Sequence, residues 1–533
     1  MRLVISNNKL QTYLQFGLGL FLGLPILYLL IFPFLEINKN THWDYLKNVL
    51  PIHFSNSIAL VFWTVFFSLI FSVYLSCVLS LTNIWAKNFL KTLTYLPLGI
   101  PLYISCFVFE GIFSYSSPLS TLFRTTLGVD LTKIIHFDTA LQVGFIFSLY
   151  LSPYLTMPLT KAIESVGENQ WPIAKTLGLT DSQVVFKILI PSCVPWIIGG
   201  IIIISMETLA DFGGVTAFNF DTLTTSIYTA WSGLFSLPLA IKISFSLLIL
   251  ATSLFYFEYK INRHKQFTIL GSTFMAHPPI HLSILQKIIL LIPIIIYFFI
   301  SVVAPLWSLF SMASKAAYPE IKDIYHYALG SIEISLIAAL IICLTAMVHL
   351  FIFNRQNKIT FELIKKIGLF GYTLPGPIIA VSIIGIFAFI RDYFPYFPTS
   401  GLTLMMVGLS VRFLYIGVSN LENALKRIPQ GLKNSASIYL PSKFHILKNL
   451  YWPFLKKSLP MALIFIFIEV IKELPITLIL RPFGLNTLAT KIYEFTSEGE
   501  WQKASQLSII LLFVLIPMTI FFNRIHFKRA NHE

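Results

Sequence analysis

The sequence is poor in charged residues. Asp, Glu, Lys and Arg make up 12% of its 533 residues, whereas 56% are hydrophobic and 49 are Phe. Soluble globular domains carry about 25% charged residues, so this composition excludes a soluble enzyme. It also excludes a disordered chain, because the apolar content is too high, and a collagen-like chain, because the 26 Gly and 28 Pro residues follow no short period. The composition therefore predicts an integral membrane protein.

Cysteine is scarce, and several common types of functional site lack the residues to build them. The four cysteines lie within apolar stretches, as Cys77, Cys106, Cys193 and Cys343, which argues against a disulfide framework or a thiolate metal site. The histidines are scattered, with no His-x3-His pair on a predicted helix face, so a histidine metal centre is not expected. No P-loop occurs, so any nucleotide hydrolysis must be performed by another chain.

Long apolar runs are abundant. A transmembrane helix needs about 20 mostly apolar residues, and the sequence contains twelve such runs, at residues 12–34, 56–81, 89–113, 139–159, 189–208, 234–257, 284–310, 331–353, 367–390, 401–420, 456–478 and 505–523. All are predicted to be helices, because lipid cannot satisfy the polar groups of an irregular backbone. Pro97 and Pro101 permit a kink in the third run. The first run exceeds a signal-peptide core and no cleavage site follows it, so it is predicted to be a retained span.

The surplus of basic residues predicts the orientation in the membrane. The chain has 38 Lys and Arg residues against 24 Asp and Glu, a formal net charge of +14. In membrane proteins, Lys and Arg are retained on the cytoplasmic side. An even number of spans places both termini on one side, and a cytoplasmic N-terminus puts most Lys and Arg residues in cytoplasmic segments. The sequence thus predicts a multi-pass protein with both termini in the cytoplasm and no nucleic-acid partner.

The chain contains an internal repeat. Shifts of 262 to 274 residues pair similar positions of the two halves: Ala174 with Ala436, Pro191 with Pro453, Glu207 with Glu469, Asp211 with Glu473, Thr222-Leu223 with Thr487-Leu488, and Ser57 with Ser331. Parallel repeats of this kind build transporter folds around a central path. The predicted organisation is a first repeat of six spans at 1–257, a basic cytoplasmic linker at 258–283, and a second repeat of six spans at 284–533.

One basic cytoplasmic loop in each half, at about 160–188 and 421–457, is predicted to dock a partner. The candidate contact residues are Trp171, Pro172, Ala174 and Gly178 in the first loop, and Asn434, Ala436, Leu440 and Pro441 in the second. Pro172 is predicted to begin a short helix, Gly178 to end it, and Thr180 with Gln183 to cap the next helix. Pro441 supplies the corresponding break in the second half. Such a helical knob can transmit rigid-body motion to the spans; the alternative is a solvated linker.

The two loops resemble degenerate copies of the Glu-Ala-Ala-x3-Gly-x9-Ile-x-Leu-Pro loop of ABC importer permeases. The first copy retains Ala174, Gly178, Ile188 and Pro191, with Pro172 in place of the Glu; the second retains Ala436 and Pro453, with Asn434 and Leu440 replacing the Glu and the Gly. Downstream, Leu209-Ala210-Asp211-Phe212-Gly213 and Lys472-Glu473-Leu474-Pro475, with the runs that follow them, resemble the fused permease of ferric-iron ABC importers. The resemblance covers essentially the whole chain.

The resemblance implies a fold, partners and a location. The fold is an all-α integral membrane fold of about twelve transmembrane helices, arranged as two six-helix repeats of the type I ABC importer permease. A single chain would supply both membrane halves in the bacterial inner membrane, with two copies of an ABC ATPase bound beneath and a periplasmic ferric-iron-binding protein docked on top. The chain itself would bind no cofactor and catalyse no reaction, since ATP and Mg are used by the ATPase.

Charged residues near the ends of the fifth and eleventh runs are candidates for the translocation path. They are Glu207, Asp211, Glu469, Lys472 and Glu473. Ionisable groups inside a bilayer are costly and mark a path or a partner, and ferric ion prefers oxygen ligands. A high-affinity metal site is not predicted, because tight binding would trap the ion. The alternative is that Lys472 pairs with Glu469 or an adjacent carboxylate and that the other carboxylates cap helix ends in water. Arg412, within a span, is either paired or snorkels to the interface.

Other functions stay open at this point. The same architecture also serves importers of thiamine and other small solutes, and selectivity resides largely in a separate binding protein. Twelve spans in two parallel halves also describe secondary transporters driven by an ion gradient, although these lack the paired loop before the fifth span of each half. A membrane enzyme would need a catalytic constellation in a pocket, and the sequence shows none.

Overall fold

The computed structural model describes most of the chain, at residues 2–35, 43–115, 117–128, 138–262, 280–315, 321–353, 370–396, 400–440 and 443–530. Within these ranges the chain is helical, with no β-strand and one isolated parallel bridge between Thr82 and Ile280. The predicted all-α fold is therefore confirmed.

The first half of the chain forms helices that range from one turn to ten. They are α1 (Arg2–Leu35), α2 (Leu50–Leu81, preceded by the turn Trp43–Asn48), α3 (Lys87–Tyr95), α4 (Leu102–Phe113), α5 (Pro118–Leu127), α6 (Thr139–Thr176), α7 (Asp181–Ser192), α8 (Val194–Ala210), α9 (Gly213–Ala217), α10 (Leu223–Tyr228) and α11 (Leu237–Asn262).

The second half begins with α12 and follows the same alternation of long and short helices. They are α12 (Ile284–Ala313), α13 (Ile321–Phe353), α14 (Gly376–Tyr393), α15 (Gly401–Lys426), α16 (Gln430–Tyr439), α17 (Trp452–Ile471, preceded by the turn Lys443–Ile446), α18 (Pro475–Leu480), α19 (Leu488–Ser497) and α20 (Trp501–Ala530).

The helices account for the predicted membrane spans. Nine helices of the described ranges are long and apolar enough to cross a membrane, and two bent pairs raise the number to eleven. In the first pair the segment that contains α3 turns by 91° into α4 at Pro101, so the predicted kink is present; in the second, α7 turns by 62° into α8. The remaining predicted run, 456–478, corresponds to α17, a helix of 20 residues that carries Lys456, Lys457 and Glu469. The chain is thus a multi-pass membrane protein.

The helices are grouped into two compact units, and each unit contains segments from both halves of the chain. Unit 1 comprises Met1–His42, Ile227–Leu248 and Glu320–Lys491, and unit 2 comprises Trp43–Ser226, Ile249–Pro319 and Ile492–Glu533. In unit 1, α13, α15 and α17 pack against one another and α1 lies on α13 and α14. In unit 2, α2, α6 and α8 form the centre, while α12 packs on α3, α4 and α20.

A ladder of small polar residues joins α2 to α6 at the centre of unit 2. Ser72 donates to the Ser152 carbonyl at 3.0 Å, and Ser76 donates to the Thr156 carbonyl at 3.2 Å. The hydroxyl of Thr160 donates to Ser76 Oγ at 3.2 Å. These side chains recur every four residues on each helix and therefore share one face. Small residues let the two helices approach closely, and the hydroxyls find hydrogen-bond partners on the facing helix, mostly backbone carbonyls.

Positions that the repeat pairs with each other make the same hydrogen bonds, each within its own unit. In unit 2, the Leu223 amide donates to Ser57 Oγ at 2.9 Å, and in unit 1 the Leu488 amide donates to Ser331 Oγ at 2.6 Å. The repeated residues thus have the same local structure in both halves. The residue limits of the repeats stay a prediction, and residues 263–279 of the linker lie outside the described residues.

Candidate functional site

The first predicted docking segment is the end of a long helix followed by a tight turn. Helix α6 runs without a break for 38 residues, from the membrane to Thr176. Pro172 therefore does not begin a short helix, as the sequence predicted, but lies in the last two turns of α6. Packing on α2 already holds the turns before Pro172 in helical geometry. Helix α6 therefore tolerates the loss of the backbone hydrogen bond that proline cannot donate.

The turn itself has the predicted structure. Gly178 has a left-handed backbone, with φ of 77°, and its amide donates to the Lys175 carbonyl at 3.0 Å. The Leu179 amide donates to the Ala174 carbonyl at 3.2 Å, which completes a Schellman motif. Thr180 and Gln183 then form the capping box that begins α7. The ion pair between Lys175 and Asp181 spans the turn. The end of α6 and the start of α7 are therefore linked by side chains as well as by the backbone.

The predicted contact residues of this segment divide into buried and exposed ones. Trp171 and Ala174 are buried, 5% and 1% exposed, and so hold the turn together. Pro172 and Gly178 are exposed.

Three exposed apolar side chains on the same segment were not predicted as contact residues: Ile173, Leu177 and Phe186, which are 63%, 73% and 67% exposed. Ile173 and Leu177 are four residues apart, and this spacing could have predicted that they lie on the same side at the end of α6.

The second segment also has exposed and less exposed sides, but it is connected to its membrane helix differently. Helix α15 ends at Lys426, and α16 begins after Pro429, because the residue before a proline disfavours helical geometry. Asn434 is exposed, while Ala436 and Leu440 are half-buried. Pro441 lies outside the described residues. Ile438 and Tyr439 present apolar side chains that are 77% and 82% exposed.

Two of the span-end carboxylates cap short helices. In unit 2, Asp211 Oδ1 accepts the Gly214 amide at 2.7 Å, at the beginning of α9. In unit 1, Glu473 Oε1 accepts the Ile476 amide at 3.1 Å, at the beginning of α18. Both carboxylates therefore offset the unpaired amides and the positive dipole of a helix N-terminus. Glu207, one helical turn before Asp211, is half-buried.

The other charged residues near the end of α17 are ion-paired. Lys472 lies 2.8 Å from Glu469, and both side chains are about one fifth exposed. Arg412 Nη1 lies 3.5 Å from Glu473 Oε1, and these side chains are 9% and 6% exposed. Arg412 is therefore a paired residue, and the pair lies against Gly376, where a Cβ atom would lie 2.9 Å from the carboxylate. The pairing of Lys472 with Glu469 agrees with the structural alternative, whereas Glu473 caps a helix end in a buried position rather than in water.

The carboxylates do not form a multidentate metal centre within the described ranges. No group of three or more His, Cys, Asp or Glu side chains in that part of the chain is close enough together to hold a metal ion. Whether any of them touches a transported solute stays a prediction.

Comparison with known proteins identifies a relative over most of the chain, although no protein-family model matches it. The chain is 21% identical over 453 residues to the Fe(3+)-transport system permease protein FbpB 2 of Haemophilus influenzae, which covers 81% of this chain and 82% of that protein. The resemblance to a ferric-iron transport permease is therefore confirmed over about four fifths of the chain.

Proposed function

We propose that this protein is the membrane-spanning permease subunit of an ABC importer and that its substrate is ferric iron. The observation that carries the proposal is the pair of docking segments at matching repeat positions, together with the named transport function of a relative that aligns over four fifths of both chains. The chain contains no P-loop, so the energy must come from a separate ATPase.

The exposed apolar side chains of the two segments support the docking of a partner. Ile173 and Leu177 on α6, with Ile438 and Tyr439 on α16, follow helices that leave the membrane. Contiguous apolar side chains outside the lipid mark protein interfaces. With one docking segment in each repeat, the chain would bind two copies of an ATPase on the cytoplasmic side. This placement agrees with the predicted orientation of the chain in the bacterial inner membrane.

The structure of α6 supplies a path for mechanical coupling. Because α6 runs unbroken from its core contact with α2 to the turn at Gly178, a displacement of the turn moves the membrane part of the same helix. The ladder of Ser72, Ser76 and Thr160 then moves α2 with it. We infer that closure of the ATPases is transmitted in this way and that the permease alternates between outward-open and inward-open states.

The substrate would be delivered by a periplasmic binding protein and would make only transient contacts in the path. Glu207 and Asp211 are the candidates in unit 2, since both are half-buried rather than enclosed. Glu473 is a weaker candidate because Arg412 and a helix N-terminus already occupy it. A path that lacks a multidentate site suits an ion that must be released after each cycle.

The double substitution Ile173→Ser/Leu177→Ser tests the docking role. The ATPase should no longer co-purify with the chain, and ATP-dependent uptake should fall at least tenfold, while the helical content stays unchanged. Tyr396→Ser is the matched control, since Tyr396 is 99% exposed but lies outside both segments. Unchanged assembly and uptake in the double variant would show that these side chains do not couple the ATPase to the spans.

A further inference from the structure

Four lysines gather at one end of unit 2, where α2 ends and α12 begins. Lys87 and Lys91 lie one turn apart on α3, Lys161 lies on α6, and Lys287 lies on the first turn of α12. Lys161 lies at the start of the first docking loop, ten residues before the first candidate contact residue, and the other three lysines lie outside both docking segments and the span-end carboxylates. We refer to these four residues as the lysine cluster.

One carboxylate, that of Glu164, lies beside two lysines of the cluster. Glu164 Oε1 lies 2.7 Å from Lys91 Nζ and 3.9 Å from Lys87 Nζ. Lys161 precedes Glu164 by three residues and therefore shares its face of α6. Glu168 follows Glu164 one turn later on α6, and the four lysines outnumber these two carboxylates.

Exposed aromatic and aliphatic side chains border the lysine cluster. Trp85 and Phe89 are 49% and 62% exposed, and Lys287 Nζ lies 5.4 Å from the centre of the Trp85 ring. On α12, Ile284 and Leu285 are 67% and 68% exposed. Aromatic residues beside lysines at the end of apolar spans are typical of the boundary between hydrocarbon and headgroups.

Backbone contacts hold the two sides of the lysine cluster together. The Ile280 amide donates to the Leu81 carbonyl at 2.7 Å, and the Leu282 amide donates to Asn83 Oδ1 at 3.1 Å. The start of α12 is thereby fixed beside the start of α3. A ligand would meet a preformed arrangement of charges, which reduces the entropy lost on binding.

We propose that the lysine cluster binds the phosphate-bearing headgroup of an anionic phospholipid. Lys87, Lys161 and Lys287, which are not buried, supply point charges for the phosphate. The exposed aliphatic side chains of α12 continue from Lys287 into the span as Ile288, Ile289 and Ile292, which are 45%, 55% and 49% exposed. This continuity favours a lipid over a free phosphate ion, which would gain nothing from these aliphatic side chains. Basic sites between membrane helices are a known means of selecting anionic headgroups. The proposal requires only that the chain spans a membrane and is independent of what it transports.

Intact-protein mass spectrometry of the delipidated full chain tests the proposal. The protein is titrated with phosphatidylglycerol and with phosphatidylcholine of the same acyl chains, and the ratio of the two affinities is measured. Wild type should prefer phosphatidylglycerol. Because each lysine near a membrane surface contributes roughly a fivefold preference, Lys87→Gln/Lys161→Gln should lower the ratio by about 25-fold. Lys315→Gln, which removes an exposed lysine beyond the other end of α12, is the matched control and should leave the ratio unchanged.

Each other outcome contradicts the proposal. An equal ratio in wild type and the double variant, or an equal fall in the control, would mean that the cluster does not select the headgroup. Displacement of the lipid by inorganic phosphate at equal concentration would identify a free-anion site instead. Loss of ATPase co-purification in the double variant, with an unchanged lipid ratio, would identify the cluster as a protein contact. A melting curve of each variant excludes misfolding as the cause.

Discussion

Replacing Arg412 with Met should destabilise unit 1 by about 3–5 kcal/mol, because it leaves the Glu473 carboxylate buried without its counter-charge. The two side chains are 9% and 6% exposed, so water screens the pair little. The carboxylate also accepts the Ile476 amide, which holds it in place at the start of α18 and prevents it from turning towards solvent. The free energy of unfolding is measured by titration of SDS into mixed micelles.

The double variant Arg412→Met/Glu473→Gln separates the ion pair from the rest of the site. The Gln side-chain oxygen still accepts the Ile476 amide, and no buried charge remains. The double variant should therefore lose about 2–3 kcal/mol less stability than the two single variants lose together. Losses that add to within about 0.5 kcal/mol would refute the reasoning, because they would show that the two side chains do not interact. Uptake by the double variant at more than half of the wild-type rate would support a structural role for Glu473.

Three glycines give further predictions with matched controls. Gly376→Ala should cost about 1–3 kcal/mol in the SDS titration, because its Cβ would collide with the buried ion pair, whereas Gly17→Ala, with open space around it, should not destabilise the protein. Gly144→Ala should cost a similar amount, since its Cβ would lie 2.6 Å from a tryptophan side chain of α2; wild-type stability would argue against the close α2–α6 contact. Gly178→Ala should cost about 1 kcal/mol at its positive φ and speed amide exchange in the turn, whereas Gly199→Ala, with ordinary φ and open space, should leave exchange unchanged.

Local signals in the sequence predicted much of the fold. Lipid restricts the backbone to helices, and the length of each apolar run then determines whether it can span the membrane. The turn at Gly178 and the capping box at Thr180 depend on a few neighbouring residues and were predicted correctly. Pro172 was assigned to the start of a helix, which was wrong, because a helix that is already packed on its neighbours continues through a proline. The charges of α17 likewise make it less apolar than its neighbours, although it is a helix of sufficient length.

Contacts between distant segments were beyond the sequence patterns. The pairing of Arg412 with Glu473 depends on how α15 packs against α18, and the pairing of Lys91 with Glu164 depends on α3 and α6. The repeat related Asp211 to Glu473, and both cap a short helix, but the arginine beside Glu473 was not predicted by the repeat. A repeat predicts equivalent backbones and does not predict which side chains fill equivalent space.

The most direct test of the proposed function is uptake of radiolabelled Fe(III) into proteoliposomes that contain this chain, its genomically adjacent ATPase and the binding protein. The account predicts uptake that requires ATP, survives collapse of ion gradients and is unaffected by excess thiamine. Uptake that persists without ATP and disappears with the gradient would contradict the ABC importer mechanism. ATPase stimulation by a binding protein loaded with another solute, without iron uptake, would contradict ferric iron as the substrate.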